Sequence, residues 1–268
     1  MSFTLQRGNS PLLVSMPHIG TAIPLELQDA YVPRALAVED TDWHLERLYD
    51  FLPELGASVL LPRYSRYVID LNRPPDDAPM YPGAANTELC PTRFFTRAAL
   101  YQSGREPSPH ERTRRREAYW LPYHTALAAE LQRLKGIHGY ALLWDAHSIR
   151  SQIPWLFDGT LPGLNIGTAN GLSAEPSIAR AVDAVCQSHN MGISHVLNGR
   201  FKGGYITRNY GAPQHRIHAV QLEMCQNLYM VEEAPPFDYD ERRAQAVQPL
   251  LKTMLNHALA ACRECHEK

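Results

Sequence analysis

Short apolar runs alternate with amphipathic stretches along this chain of 268 residues. Runs at 12–16, 57–61, 67–71, 140–144, 195–197 and 218–224 each end in a polar cluster, the pattern of short strands bounded by turns. Most are apolar throughout rather than at every second position, as in strands covered on both faces. Between them, the spacing predicts helices over 42–51, 114–134, 176–189 and 241–261. Alternation of the two element types predicts an α/β fold, a single domain with a mostly parallel wound sheet flanked by helices. The stretch 73–109, rich in Pro, Asn, Gly and Asp, is too long for a simple connector and is expected to border the active site.

Composition narrows the partners. With 26 Lys+Arg against 28 Asp+Glu there is no large field to draw in nucleic acid or a membrane surface. The apolar run near the N-terminus is short and interrupted by Pro17, unlike a secretory segment or a membrane span. Five scattered cysteines, an odd number, argue against a disulfide framework and for a reducing compartment, the cytoplasm. A small molecule is the expected partner, bound by a monomer or small homo-oligomer. The basic run Arg112, Arg114, Arg115 and Arg116, offset by Glu111 and Glu117, reads as a solvated helix start.

Ligands of α/β sheets bind at the carboxyl ends of strands, so the polar residues closing each apolar run carry the chemistry. His18 closes the first, Asp145 and His147 the fourth, Glu223 the sixth, and Asp70, Asn72 and Arg73 the third. Two such histidines and one carboxylate supply the ligands of a catalytic divalent ion and leave a position open for water. Asp42 in EDTDWH is the preferred carboxylate, with Asp40 the alternative, since either could instead cap a helix. The ligand types suit zinc, with cobalt, manganese and iron left open. Asp145, two residues before His147, shares its face in an extended segment and suits orienting the ligand or forming a turn. Glu223, at the end of an apolar run, suits a general base with a raised pKa or, alternatively, a salt-bridged sheet-edge residue. Arg73, and Arg208 in GGYITRNYG, suit an acidic substrate. There Gly203 and Gly204 allow close backbone approach, and Tyr205, Thr207 and Asn209 add donors. The string Cys262, Cys265, His266 has the spacing of haem attachment, but it ends a charged helix with no second Cys/His pair nearby in sequence. No G-x-S-x-G elbow of a serine hydrolase occurs.

SMPHIG, EDTDWHLERLYDF, SRYVIDLNRP, NTELCPTRFF, YWLPYH, LLWDAHS, FKGGYITRNYG and VQLEM occur in that order over residues 10–226. In this ordered set the chain resembles the N-formylglutamate amidohydrolase family. The resemblance implies a zinc-exopeptidase-like (phosphorylase/hydrolase-like) fold and a metal-dependent hydrolase. Its reaction would convert N-formyl-L-glutamate to formate and L-glutamate in histidine breakdown. It also implies that Asn72 with Arg73 holds a substrate carboxylate and that Glu223 is the base, as in zinc carboxypeptidases. Those enzymes take a His and a Glu three residues apart, whereas Thr21 stands three after His18, which leaves the carboxylate ligand to Asp42 or Asp40. Two other readings stay open: a deacylase or carboxypeptidase-like hydrolase of another N-acyl amino acid, or a non-catalytic dicarboxylate-binding relative.

Overall fold

In a computed structural model, which describes residues 1–80 and 86–267, seven strands form one mixed sheet in the order β1-β3-β2-β4-β7-β5-β6. The strands are β1 (Phe3–Gln6), β2 (Leu12–Ser15), β3 (Ser58–Pro62), β4 (Ala141–Ile149), β5 (Leu164–Gly167), β6 (His195–Leu197) and β7 (Ile217–Cys225). β3, β2, β4 and β7 run parallel, β5 pairs antiparallel with β7, and β1 lies antiparallel on the edge against β3. The α-helices are α1 (Leu25–Gln28), α2 (Leu45–Leu48), α3 (Pro109–Arg115), α4 (Leu121–His138), α5 (Pro176–Ser188), α6 (Tyr205–Tyr210) and α7 (Glu241–His266).

The period of two along the strands sorts the core. Leu12, Val14, Leu142 and Trp144 face α5 and α7 and pack with Val182, Met254 and Leu255. Their neighbours Leu13, Ala141 and Leu143 face the other way, onto Tyr123, Leu127, Leu131 and Leu134 of α4 and Ile206 of α6. A sheet covered on both faces accounts for the continuous apolar runs. Among the described residues no helix is long and apolar enough to cross a membrane.

The expected fold holds, with local corrections. Residues 67–71 form turns instead of a strand, although Tyr67, Val68, Ile69 and Leu71 are buried. Their backbone is tied by single bonds, Val68 N–H to Ser65 O and Asp70 N–H to Leu89 O, rather than by a ladder. The helix expected over 42–51 shrinks to α2. α3 and α4 join through one π-turn, Arg116–Trp120, into a helix that starts earlier and ends later than 114–134. Arg115, taken for a solvated residue, is buried and donates through Nη1 to Tyr31 Oη (3.2 Å), Tyr101 Oη (2.9 Å) and Val68 O (3.1 Å). A guanidinium is thus satisfied in the interior by hydrogen bonds.

Candidate active site

Strand β4 runs on past the apolar segment read at 140–144, and this extension carries Asp145 and His147 into the site. β4 continues through Asp145 and His147 to Ile149, all of it buried, and β7 through Glu223 to Cys225. Register pairs Asp145 with Gln221 and His147 with Glu223. These four side chains therefore share one face at the carboxyl ends of adjacent central strands. His18 follows β2, whose Ser15 pairs with Asp145, and joins them. Asp42 is brought in by its backbone, which donates to His18 O at 3.1 Å.

The donor atoms of His18, Asp42 and His147 all lie within 4.8 Å of one another, and all three residues are buried. Asp42 Oδ2 sits 3.6 Å from His18 Nδ1 and 3.1 Å from His147 Nδ1. The opposite ring nitrogens are held by carboxylates: His18 Nε2 lies 2.7 Å from Asp70 Oδ1 and His147 Nε2 3.1 Å from Asp145 Oδ1. With the His18 proton on Nε2, its Nδ1 lone pair points at the space beside Asp42, as in histidines whose second nitrogen is oriented by a carboxylate. Asn72 Nδ2 lies 2.9 Å from His147 Nε2 and 3.5 Å from Asp145 Oδ2, while its Oδ1 accepts from Ile206 N–H at 2.8 Å. Thr207 Oγ1 donates to Asp145 Oδ2 at 3.0 Å. Asp40 stands apart from the cluster: its Oδ2 accepts from Tyr67 Oη (2.7 Å) and Phe95 N–H (2.8 Å), and its Oδ1 faces Arg150 at 3.3 Å.

The charge balance favours a cation. Asp42, Asp70, Asp145 and Glu223 are all buried around one buried guanidinium, Arg66, whose Nη2 meets Asp70 Oδ2 at 2.7 Å. Burial alone would raise Asp42, but the facing His18 and His147 outweigh it and hold its carboxyl below the ordinary range. Burial would likewise lower His147, yet Asp145, Asp42 and Glu223 together push it well above its usual value. Glu223 goes the other way: burial, reinforced by Asp42 and Asp145, lifts it from 4.5 to about 8. The donor set, its burial and this excess of carboxylates fit one divalent ion of borderline softness.

The cluster opens into a small cleft, part of it open to solvent. His18, Asn72, Arg73, His147, Gly204 and Glu223, all singled out from sequence, line it. Asn86, Thr87 and Phe95 also line it, so the stretch 73–109 does border the cleft; its residues 81–85 lie outside the described residues. Arg73 is held by Thr87 and by Asn72 O (2.9 Å). Gly204 has a packing role: its N–H donates to Gln221 Oε1 at 2.7 Å and its α-carbon abuts Asn72.

Some expected residues fall elsewhere. Tyr205 packs on Trp120 and His124, and Arg208 and Asn209 are exposed, with Arg208 Nε donating to Gly203 O at 2.8 Å. The cleft adds Arg66, Gln221 and Arg200, which sequence reasoning passed over. Arg66 lies four residues before Asp70 in a motif already quoted, so its position was visible but its role was not.

Far from the cleft, at the start of β7, His218 completes a group with Cys262 and His266 of α7 that no local motif could reveal. His218 Nδ1 accepts from Glu175 N–H (3.3 Å), so its Nε2 carries the proton donated to His266 Nε2 at 2.7 Å. This is a hydrogen-bonded pair that docks the end of α7 on the sheet.

Fold and site define a class: an α/β protein with a candidate metal cluster and a buried glutamate at the carboxyl ends of its central strands. The chain belongs to the N-formylglutamate amidohydrolase family, whose profile matches residues 10–230. It is 52% identical over 261 residues to an N-formylglutamate deformylase of Pseudomonas aeruginosa, covering 97% of each chain. It is 52% identical over 265 residues to one of Pseudomonas putida, covering 99% of this chain and 98% of the relative. Among solved structures, an N-formylglutamate amidohydrolase from Ralstonia eutropha JMP134 superposes with a TM-score of 0.80 at 24% identity, over 99% of this chain and 98% of that one, a likeness of fold.

Proposed function

We propose that this chain is an N-formylglutamate deformylase, hydrolysing N-formyl-L-glutamate to formate and L-glutamate in histidine degradation. The observation that carries the reading is the convergence of His18, Asp42, His147 and Glu223 on a small cleft that also holds guanidinium groups. His18, Asp42 and His147 would hold one divalent ion, zinc by ligand type. Such an ion supplies Lewis-acid polarisation of the formyl carbonyl and acidifies a water.

The protein's own groups do the rest. Glu223, at its carboxylate, takes a proton from the attacking water. It passes that proton to the glutamate nitrogen as the C–N bond breaks, so that the amine leaves neutral and formic acid leaves with the water oxygen and its remaining proton, which it then gives up to become formate. Arg66, fixed by Asp70, keeps a positive charge in the wall where negative charge develops on the carbonyl oxygen. Asp70 keeps the His18 proton on Nε2. Arg73 holds a substrate carboxylate, and Asn72 braces His147 beside it.

The test is a panel of N-acyl amino acids with the purified protein: formyl, acetyl and succinyl glutamate. Release of formate, with little turnover of the larger acyl groups, supports the reading. Preference for acetyl or succinyl glutamate identifies a different deacylase. Binding without turnover of any of them identifies a dicarboxylate-binding relative.

A further inference from the structure

Three guanidinium groups, Arg66, Arg73 and Arg200, line the cleft, and they do not come from one place. Arg66 and Arg73 flank Asp70 on the segment that follows β3, and each is tied into the floor of the site, Arg66 to Asp70 and Arg73 to Asn72 O. Arg200 enters on the connection between β6 and α6 and is anchored differently: its Nε donates to Leu156 O at 3.0 Å, and its guanidinium lies 5.4 Å from the Phe201 ring centroid. That anchor belongs to an apolar group. Phe95 and Ile149 are buried in it, Leu156 and Phe201 pack against them, and all four also line the cleft. One wall of the cleft thus offers a short aliphatic surface with a guanidinium at it, the complement of a carboxylate carried on a few methylene groups.

We propose that Arg200 binds the side-chain carboxylate of the substrate and so sets the selectivity for acidic over neutral N-formyl amino acids. This rests on the deformylase reading above and assigns the second carboxylate of that substrate. The α-carboxylate, one carbon from the scissile nitrogen, belongs near the metal cluster, where Arg73 and Asn72 sit. The side-chain carboxylate lies two methylenes farther out, along the apolar wall that ends at Arg200. Arg208, the other arginine of this region, is exposed and is not among the cleft residues.

The experiment compares kcat/KM of the metal-loaded enzyme on N-formyl-L-glutamate and on N-formyl-L-glutamine, which has the same shape and no side-chain charge. Arg200→Met lowers kcat/KM on formylglutamate about 100-fold, the worth of a charge-assisted bidentate contact, and changes formylglutamine by less than about 3-fold. Arg200→Lys retains part of the preference. An equal loss on both substrates would show a structural role, and unchanged kcat/KM on both would show none; either overturns the assignment, as does a larger collapse of the ratio in Arg208→Met. Wild-type protein that releases no formate from formylglutamate rejects the deformylase reading itself, before any variant is compared.

Discussion

Gly204 and Asn72 are packed so closely that a β-carbon on Gly204 would lie 2.3 Å from Asn72 Nδ2. The backbone of Gly204 is in the ordinary extended region, so the restriction is one of space and not of dihedral angle. Asn72 in turn touches His147 and holds Ile206 N–H, so that one glycine couples α6 to the cluster of His18, Asp42 and His147. Gly204→Ala is expected to shift Asn72 against His147 and cut kcat/KM by roughly 10- to 100-fold, the range for residues that orient a metal ligand. Steady-state kinetics beside a melting curve check this; a fully active, stable Gly204→Ala protein would remove Asn72 from the account.

Glu223→Gln keeps the shape of the side chain and removes the proton acceptor. Turnover is expected to fall by at least about 100-fold, as for loss of a general base, with affinity for glutamate kept. Calorimetric titration with glutamate alongside turnover separates the two. A variant with near wild-type kcat would require another base.

Asp70 holds His18 Nε2 at 2.7 Å and also accepts from Asn72 N–H at 2.8 Å. Asp70→Asn leaves the His18 tautomer unenforced, and metal affinity is expected to drop about 10- to 100-fold. Competition with a chromophoric chelator measures it. Unchanged affinity would mean that His18 is not a ligand or needs no such orientation.

His124, buried against Trp120, donates from Nε2 to Leu71 O (2.9 Å) and accepts at Nδ1 from Tyr210 Oη (2.9 Å). Burial pushes its pKa from 6.5 down to about 3. Above pH 6.5 the ring is neutral whether the chain is folded or not. As pH falls from 6.5 towards 3 the unfolded chain takes up a proton that the folded one refuses, and stability falls by up to about 1.4 kcal/mol per pH unit. Denaturant unfolding of wild type and His124→Gln between pH 7 and 5 should show their difference shrinking toward acid, and parallel curves would contradict it.

The elements of this fold were legible where one physical signal dominates. Buried strands announce themselves as apolar runs, and His18, Asp145, His147 and Glu223 stand out because polar residues at the ends of such runs need a reason. The end of β4 was misread because Asp145 and His147 sit inside the ladder, where apolarity no longer marks the strand, whereas the strand read at 218–224 already held Glu223. Residues 67–71 failed in the opposite sense: they are apolar because they are buried, yet their backbone turns. Arg115 was read as solvated and Arg200 passed over because an arginine satisfied by distant groups, such as Arg115 on Tyr31, Tyr101 and Val68, looks in sequence like any surface arginine. Likewise His218 meets Cys262 and His266 only through the docking of α7 on β7.

The central claim is that His18, Asp42 and His147 hold the ion on which hydrolysis depends. Its most direct test is formate release from N-formyl-L-glutamate by protein stripped with a chelator and titrated with zinc, cobalt or manganese. Activity that vanishes on stripping and returns with one equivalent of ion per chain, and that does not return in His147→Ala, is the expected result. Undiminished formate release by the metal-free protein would contradict it.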